Sequence, residues 1–97
     1  MSNNGKVNFD AQFDEIMVDI AYNGIVNYAK MIVSFDMIDV AVNYAISSFK
    51  HFSNEQLNLL LNKIESFDKD INRFAGMYIN AVKRSIFQFF ESENRKR

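Results

Sequence analysis

The stretch LNLLLNKIESFDKDINRFAGMYINAVKRSIFQFF, residues 57–90, decides the fold. Apolar residues recur along it at alternating spacings of three and four, the a/d heptad pattern that keeps one face of a helix apolar. The seam consists of Leu57, Leu60, Ile64, Phe67, Ile71, Phe74, Tyr78 and Ala81. We therefore predict one long helix from Asn54 to about Phe90. Its weak point is Gly76, since glycine costs roughly 1 kcal/mol against alanine inside a helix.

A capping box marks the start of this helix. Ser53 is followed three residues later by Gln56, so each side chain can bond to the backbone N–H of the other residue. Phe52 and Leu57 flank the box and predict a hydrophobic staple across the first turn. The sequence thus places its clearest boundary between elements at Ser53.

Helical spacing also runs through the N-terminal part. Phe9, Phe13, Ile16 and Ile20 fall on one face, widened by Met17 and Ala21, and we expect this face to be buried. Asn8 is the predicted N-cap of this first helix. Asn23-Gly24 then leaves two alternatives open. Asn-Gly is a strong signal for a β-hairpin, whereas the spacing of the apolar residues before it favours a helix that kinks or stops at the glycine.

A further helix follows the apolar run that ends at Phe35. Ser34 or Asp36 can cap it, and it carries Ile38, Val42, Ala45, Ile46 and Phe49. The predicted fold class is therefore all-α, a small bundle of three to four helices with one long C-terminal helix, which we expect to be oligomeric. We predict a disordered lead-in over residues 1–8, a single helical domain over residues 9–90 and a charged tail over residues 91–97.

The amino-acid composition and charge of the chain argue against several classes of function. The chain has 97 residues, 48% of them hydrophobic, and a net charge of −1, which argues against a globally basic nucleic-acid binder. Residues 1–49 hold six acids and two bases (−4), and residues 50–97 hold six acids and nine bases (+3). The two halves can therefore attract each other, within one chain or between two copies. No cysteine is present, and neither a signal peptide nor a membrane span is indicated. We expect a cytoplasmic protein.

No set of residues predicts catalysis, a cofactor or a metal. His51 is the only histidine, and one imidazole near Glu55 does not make a metal site. The carboxylate pairs Asp10/Asp14 and Asp36/Asp39 lie near predicted helix starts, where acidic residues stabilise a helix without any catalytic role. We therefore expect a protein that is not an enzyme and that does not bind nucleic acid.

The C-terminal apolar residues predict an interaction surface. A helix from Asn54 to Phe90 would span roughly 55 Å, whereas a compact domain of this size is only about 35 Å across. Part of its apolar face should then project and be covered by a second chain. The predicted surface comprises Ile79, Val82, Ile86, Phe87, Phe89 and Phe90. We expect a homodimer along this helix.

Two segments carry a resemblance to a known family. Tyr22-Asn23-Gly24-Ile25 with the apolar helix after it, and Ser53-Asn54-Glu55-Gln56-Leu57 with a following helix that contains Phe74 and Tyr78, resemble the ordered region of phasins. That family coats polyhydroxyalkanoate granules, so the resemblance implies an amphipathic coat of a granule or lipid surface. The apolar patterns themselves favour a non-catalytic, self-associating helical protein that binds another protein, as a small adaptor or inhibitor does.

Overall fold

The computed structural model describes the backbone of residues 2–67 and 71–95 and the side chains of residues 12–67 and 71–90. Four helices make up this part of the chain: α1 (Ser2–Met31), α2 (Phe35–Phe49), α3 (Asn54–Glu65) and α4 (Arg73–Arg95). The described backbone contains no strand. The all-α fold class is confirmed, and the hairpin alternative at Asn23-Gly24 is wrong.

Helix α1 runs through the Asn-Gly pair without a stop. It extends from Ser2 to Met31, so the predicted N-cap at Asn8 and the predicted stop at Gly24 are both wrong. No described glycine has a positive φ angle, which a C-cap glycine would need. The helical spacing on both sides of Gly24 therefore outweighs the turn preference of the dipeptide. The side chains of residues 1–11, including that of Phe9, lie outside the described residues.

The starts of α2 and α3 lie where the sequence placed them. Ser34 is the N-cap residue of α2 in an extended conformation, although its side chain makes no capping bond. The capping box of α3 is complete. The backbone N–H of Gln56 donates to Ser53 Oγ at 3.2 Å, and the backbone N–H of Ser53 donates to Gln56 Oε1 at 2.9 Å. The box thus provides partners for two backbone N–H groups at the start of α3.

The long C-terminal helix predicted from the heptad seam is wrong, because the chain forms two helices there. Helix α3 ends at Glu65, where the hydroxyl of Ser66 donates to the carbonyl oxygen of Lys63 at 2.7 Å. Helix α4 begins at Arg73, where the backbone N–H of Ala75 donates to Asn72 Oδ1 at 2.7 Å. Asn72 is thus an N-cap that the sequence analysis missed. Gly76 lies in the first turn of α4 and interrupts nothing.

Sixteen apolar residues form one buried core, fifteen of them from the four helices and Ile32 from the turn after α1. They are Val18, Ala21, Ile25, Ala29, Ile32, Ala41, Ala45, Phe49, Leu57, Leu60, Ile64, Ala75, Tyr78, Ile79, Val82 and Ile86. Four of the eight predicted seam positions belong to this core, whereas Ile71, which falls in the break between α3 and α4, is exposed. Beyond Gly76 the buried positions shift from the predicted seam to Ile79, Val82 and Ile86, because a new helix begins at Arg73.

The buried face of α1 differs from the predicted one. Small and branched residues at Val18, Ala21 and Ile25 are buried, whereas Phe13, Ile16 and Ile20 are more than half exposed. The prediction that these three side chains lie in the core is therefore wrong. Alanines on the inner face allow close approach of helix backbones, which leaves the bulkier residues outside.

Polar contacts join α3 to its neighbours. The amide of Gln56 donates from Nε2 to Asp14 Oδ1 at 2.9 Å, and Lys63 Nζ lies 2.9 Å from Asp19 Oδ1, so α3 is held along α1.

The chain measures 52 × 30 × 19 Å along its principal axes. Because a helix with its side chains is about 10–12 Å thick, the smallest dimension holds only two layers of helices. A two-layer bundle leaves an outer face on each helix uncovered.

Candidate interaction surface

The predicted C-terminal interaction surface lies mostly inside the protein. Ile79, Val82 and Ile86 are fully buried core residues. Phe89 and Phe90 are half-buried and pack against the core. The ring of Phe89 meets Phe49 edge-on at a centroid distance of 5.7 Å. Only Phe87 is exposed, at 48%. The break after α3 allows α4 to fold back, so this apolar face is covered by the chain itself, and the prediction needs correction.

Large apolar side chains are instead exposed elsewhere. Thirteen of them are exposed among residues 12–67 and 71–90. They are Phe13, Ile16, Ile20, Met31, Val33, Phe35, Met37, Val40, Tyr44, Leu59, Ile71, Met77 and Phe87. The first nine all belong to α1, α2 and the turn between them. The exposed apolar surface is therefore concentrated on the N-terminal half of the chain.

Two faces can be distinguished in this half. The first, which we name the α1 stripe, consists of Phe13, Ile16, Ile20, Asn23 and Asn27 on the outer side of α1. The second, which we name the α2 patch, consists of Met37, Val40 and Tyr44, with Val40 and Tyr44 each 59% exposed. The patch repeats at spacings of three and four beside the buried Ala41 and Ala45. Two sets of apolar residues at helical spacing, one beside the other, were a signal in the sequence for a second apolar face on α2.

The α2 patch borders an apolar groove between α1 and α2. The groove has a volume of about 200 Å³ and is lined by Tyr28, Ile32, Asp36, Met37, Val40 and Ala41. The rings of Tyr28 and Tyr44 meet at a centroid distance of 5.2 Å with 32° between their planes. Burial raises the pKa of the Tyr28 phenol, and the neighbouring Tyr44 raises it further. The groove thus has aliphatic and aromatic walls and one carboxylate at its edge.

A third tyrosine belongs to the core next to this pair. Tyr78 of α4 is fully buried, and its hydroxyl has no hydrogen-bond partner among the described residues. Burial raises the pKa of Tyr78, and the nearby Tyr28 phenol raises it further. A buried hydroxyl without a partner destabilises the fold, because the bond to water that it had in the unfolded chain is not replaced.

The polar residues considered from the sequence remain separate in the structure. His51, Asp36 and Asp39 are exposed, and the side chain of Asp10 lies outside the described residues. Within the described part of the chain, no three side chains of the metal-ligating types come together. No described helix is both long enough and apolar enough to cross a bilayer. The arrangement offers apolar contact surfaces to a partner.

Comparison of the chain with protein-family models, with curated proteins and with solved structures finds no match. The exposed faces of α1 and α2 are therefore the features of the molecule that bear on its function. These faces differ in charge. The α1 stripe contains no charged residue, whereas the groove beside the α2 patch includes Asp36.

Proposed function

We propose that this chain is a non-catalytic, self-associating helical protein that binds another protein, in the manner of a small adaptor or inhibitor. The observation that carries the proposal is the apolar groove and α2 patch on a chain of only 97 residues. Large apolar patches on small proteins generally mark interaction sites. We place the protein in the cytoplasm, since a chain without cysteine needs no oxidising compartment.

The occupant that we propose for the groove is an amphipathic helix with basic residues beside its apolar face. Such helices insert side chains at i, i+3 or i+4 and i+7 into apolar grooves. Asp36 lines the groove and Asp39 lies exposed one turn further along α2. The acids Asp14 and Asp19 are already engaged by Gln56 and Lys63 of α3. The carboxylates beside the groove therefore remain for a cationic partner.

The strength of such contacts can be estimated from the exposed areas. Covering Val40 and Tyr44, which are each 59% exposed, stabilises a complex by roughly 2 kcal/mol per side chain. The carboxylates add mainly a faster association rate and a dependence on salt. We therefore expect affinity in the micromolar range for a short helical peptide, because association and ordering oppose a large part of the apolar gain.

Two designed helical peptides with the same apolar face test this proposal. One carries lysines on its polar face and the other carries glutamates, and binding is followed by fluorescence anisotropy. The lysine peptide should bind more tightly, and added salt should reduce the difference. Val40→Asp should weaken binding, whereas Met77→Asp on α4, where the native methionine is 45% exposed, should leave it unchanged. Equal binding of both peptides to the wild type and Val40→Asp would contradict the proposal.

A coat function is the second candidate, as the resemblance to phasins implies. The observation that favours it is the outward-facing α1 stripe, which presents apolar side chains without charge. A protein of this kind should sediment with lipid vesicles or polyhydroxyalkanoate granules. Loss of that binding in Ile16→Asp would support a coat, and failure of the wild type to bind either surface would exclude it.

A further inference from the structure

The α1 stripe has the spacing of a coiled-coil seam on the side of the helix away from the core. Phe13, Ile16, Ile20, Asn23 and Asn27 follow one another at intervals of three, four, three and four. At 100° per residue, these positions lie within roughly one quarter of the helix circumference. The buried residues of α1 lie on the opposite side. A single helix of this chain therefore has one apolar face for its own core and a second face of heptad period.

The stripe is free of charge over its length. Residues 13–27 contain three acidic residues, and all of them lie toward α3. Asp14 accepts a hydrogen bond from Gln56, and Glu15 and Asp19 border a depression together with Lys63. An isologous interface brings each residue near the same residues of its copy, so charges on the face would repel each other. The absence of charge removes this repulsion. A strongly charged partner, in contrast, would find no complement on this face.

We infer that a second copy of this chain packs on the α1 stripe, which brings two α1 helices together in a two-fold pair. The inference rests on the self-association contained in the proposed function and gives it a location. A parallel pair places apolar residues against apolar residues at Phe13, Ile16 and Ile20. It also places amide against amide at Asn23 and Asn27. If Phe13 is an a position, Asn27 is one too, and an asparagine at an a position sets the register of a coiled coil.

The exposed area indicates how strong this pair is. Phe13, Ile16 and Ile20 are 53%, 56% and 63% exposed. Phe13 can bury on the order of 100 Å², about half of the 150–250 Å² of an aromatic side chain, and we take the smaller but more exposed isoleucines to bury a similar area. The six side chains of a pair then bury roughly 600 Å², and the flanking residues add to this. Stable interfaces bury about 1,200–2,000 Å², so this is a weak pair that should form and dissociate with concentration between the micromolar and millimolar ranges.

Sedimentation velocity of the full chain over micromolar to millimolar concentrations tests the inference. The wild type should show a concentration-dependent dimer. Ile16→Asp and Ile20→Asp should each raise the dissociation constant at least roughly tenfold, because the new carboxylates of the two copies face each other. Met77→Asp is the control, and unchanged circular dichroism verifies the fold of each variant. Since both isoleucines are exposed, neither change disturbs the core.

The outcomes separate the inference from the proposed function. If both stripe variants still form the dimer, the inferred location of the interface is wrong, although self-association remains supported. A wild type that is monomeric at every concentration overturns both self-association and the inference, whereas peptide binding at the α2 patch is tested independently.

Protection of a cysteine from alkylation gives a second measurement, which does not require a substitution that disrupts the dimer. The natural chain has no cysteine, so single-cysteine variants report on one position each. Asn23→Cys lies on the stripe and Asn58→Cys lies on α3, and both native asparagines are exposed. Alkylation of Asn23→Cys should slow as the concentration rises through the dimer range, whereas that of Asn58→Cys should not. Equal rates at all concentrations in both variants would overturn the inference.

Discussion

Replacing Tyr78 by phenylalanine should stabilise the protein. The ring of Tyr78 is fully buried in the core, and its hydroxyl has no hydrogen-bond partner among the described residues. Phenylalanine keeps the ring and its packing and removes only the oxygen. Leaving a buried polar group unsatisfied costs about 1–3 kcal/mol, so the variant should gain about 1 kcal/mol after allowance for the small space that the oxygen leaves.

The same substitution should change the pH dependence of stability. The pKa of Tyr78 is raised in the folded state by burial and by Tyr28, whereas unfolded tyrosines titrate near pH 10. The folded state therefore holds this proton more tightly. The stability that comes from this tighter proton binding is fully present below about pH 10 and is lost as the pH rises above that value. Tyr78→Phe should unfold less readily than the wild type at alkaline pH.

Thermal unfolding at fixed protein concentration measures the effect. For a domain of this size, 1 kcal/mol corresponds to an increase of about 4–8 °C in Tm. Tyr22→Phe is the control, since Tyr22 is only partly buried and the substitution keeps its ring beneath Lys63. A decrease in Tm for Tyr78→Phe of similar size would refute the reasoning, because it would show that the hydroxyl makes a bond that stabilises the fold.

Three further substitutions test individual features of the helices by urea unfolding. Gly24→Ala should stabilise by roughly 0.5–1 kcal/mol, because a Cβ atom at Gly24 meets nothing within 4 Å and alanine suits a helix interior; a loss would show that α1 is distorted there. Ser53→Ala should cost about 0.5–2 kcal/mol through loss of the capping box, and an unchanged midpoint would argue that the box is not formed in solution. Asn72→Ala should cost a similar amount as an N-cap, whereas in one continuous helix the same change would stabilise by a few tenths of a kcal/mol.

The sequence predicted the helices where local signals dominate. The Ser53–Gln56 box is a short-range motif, so its residues alone determine it. The break between α3 and α4 was missed because one heptad register happens to fit the residues on both sides of it. These residues are Leu57, Leu60 and Ile64 before the break and Tyr78 after it. The signals for the break were Asn72 and the shift of the apolar stripe to Ile79, since a new N-cap resets the register of the helix that follows.

The position of the interaction faces could not be read from periodicity. Helix α1 is apolar on two sides, and its spacing does not say which side the other helices cover. The predicted buried face ran through Ile20, and the neighbouring Ala21 only widened it. The structure buries Ala21, because two layers of helices approach most closely where the side chains are small. Which face remains outside depends on how all four helices pack together.

The side chain of Gln56 connects two stages of folding. Its Oε1 atom accepts a bond from Ser53, three residues away, and its Nε2 atom donates to Asp14, forty-two residues away. A helical turn forms in less than about a microsecond, long before distant segments of a chain meet. The local bond can therefore orient the amide before α3 reaches α1. Changes at Ser53 should then slow folding, whereas changes at Asp14 should mainly accelerate unfolding.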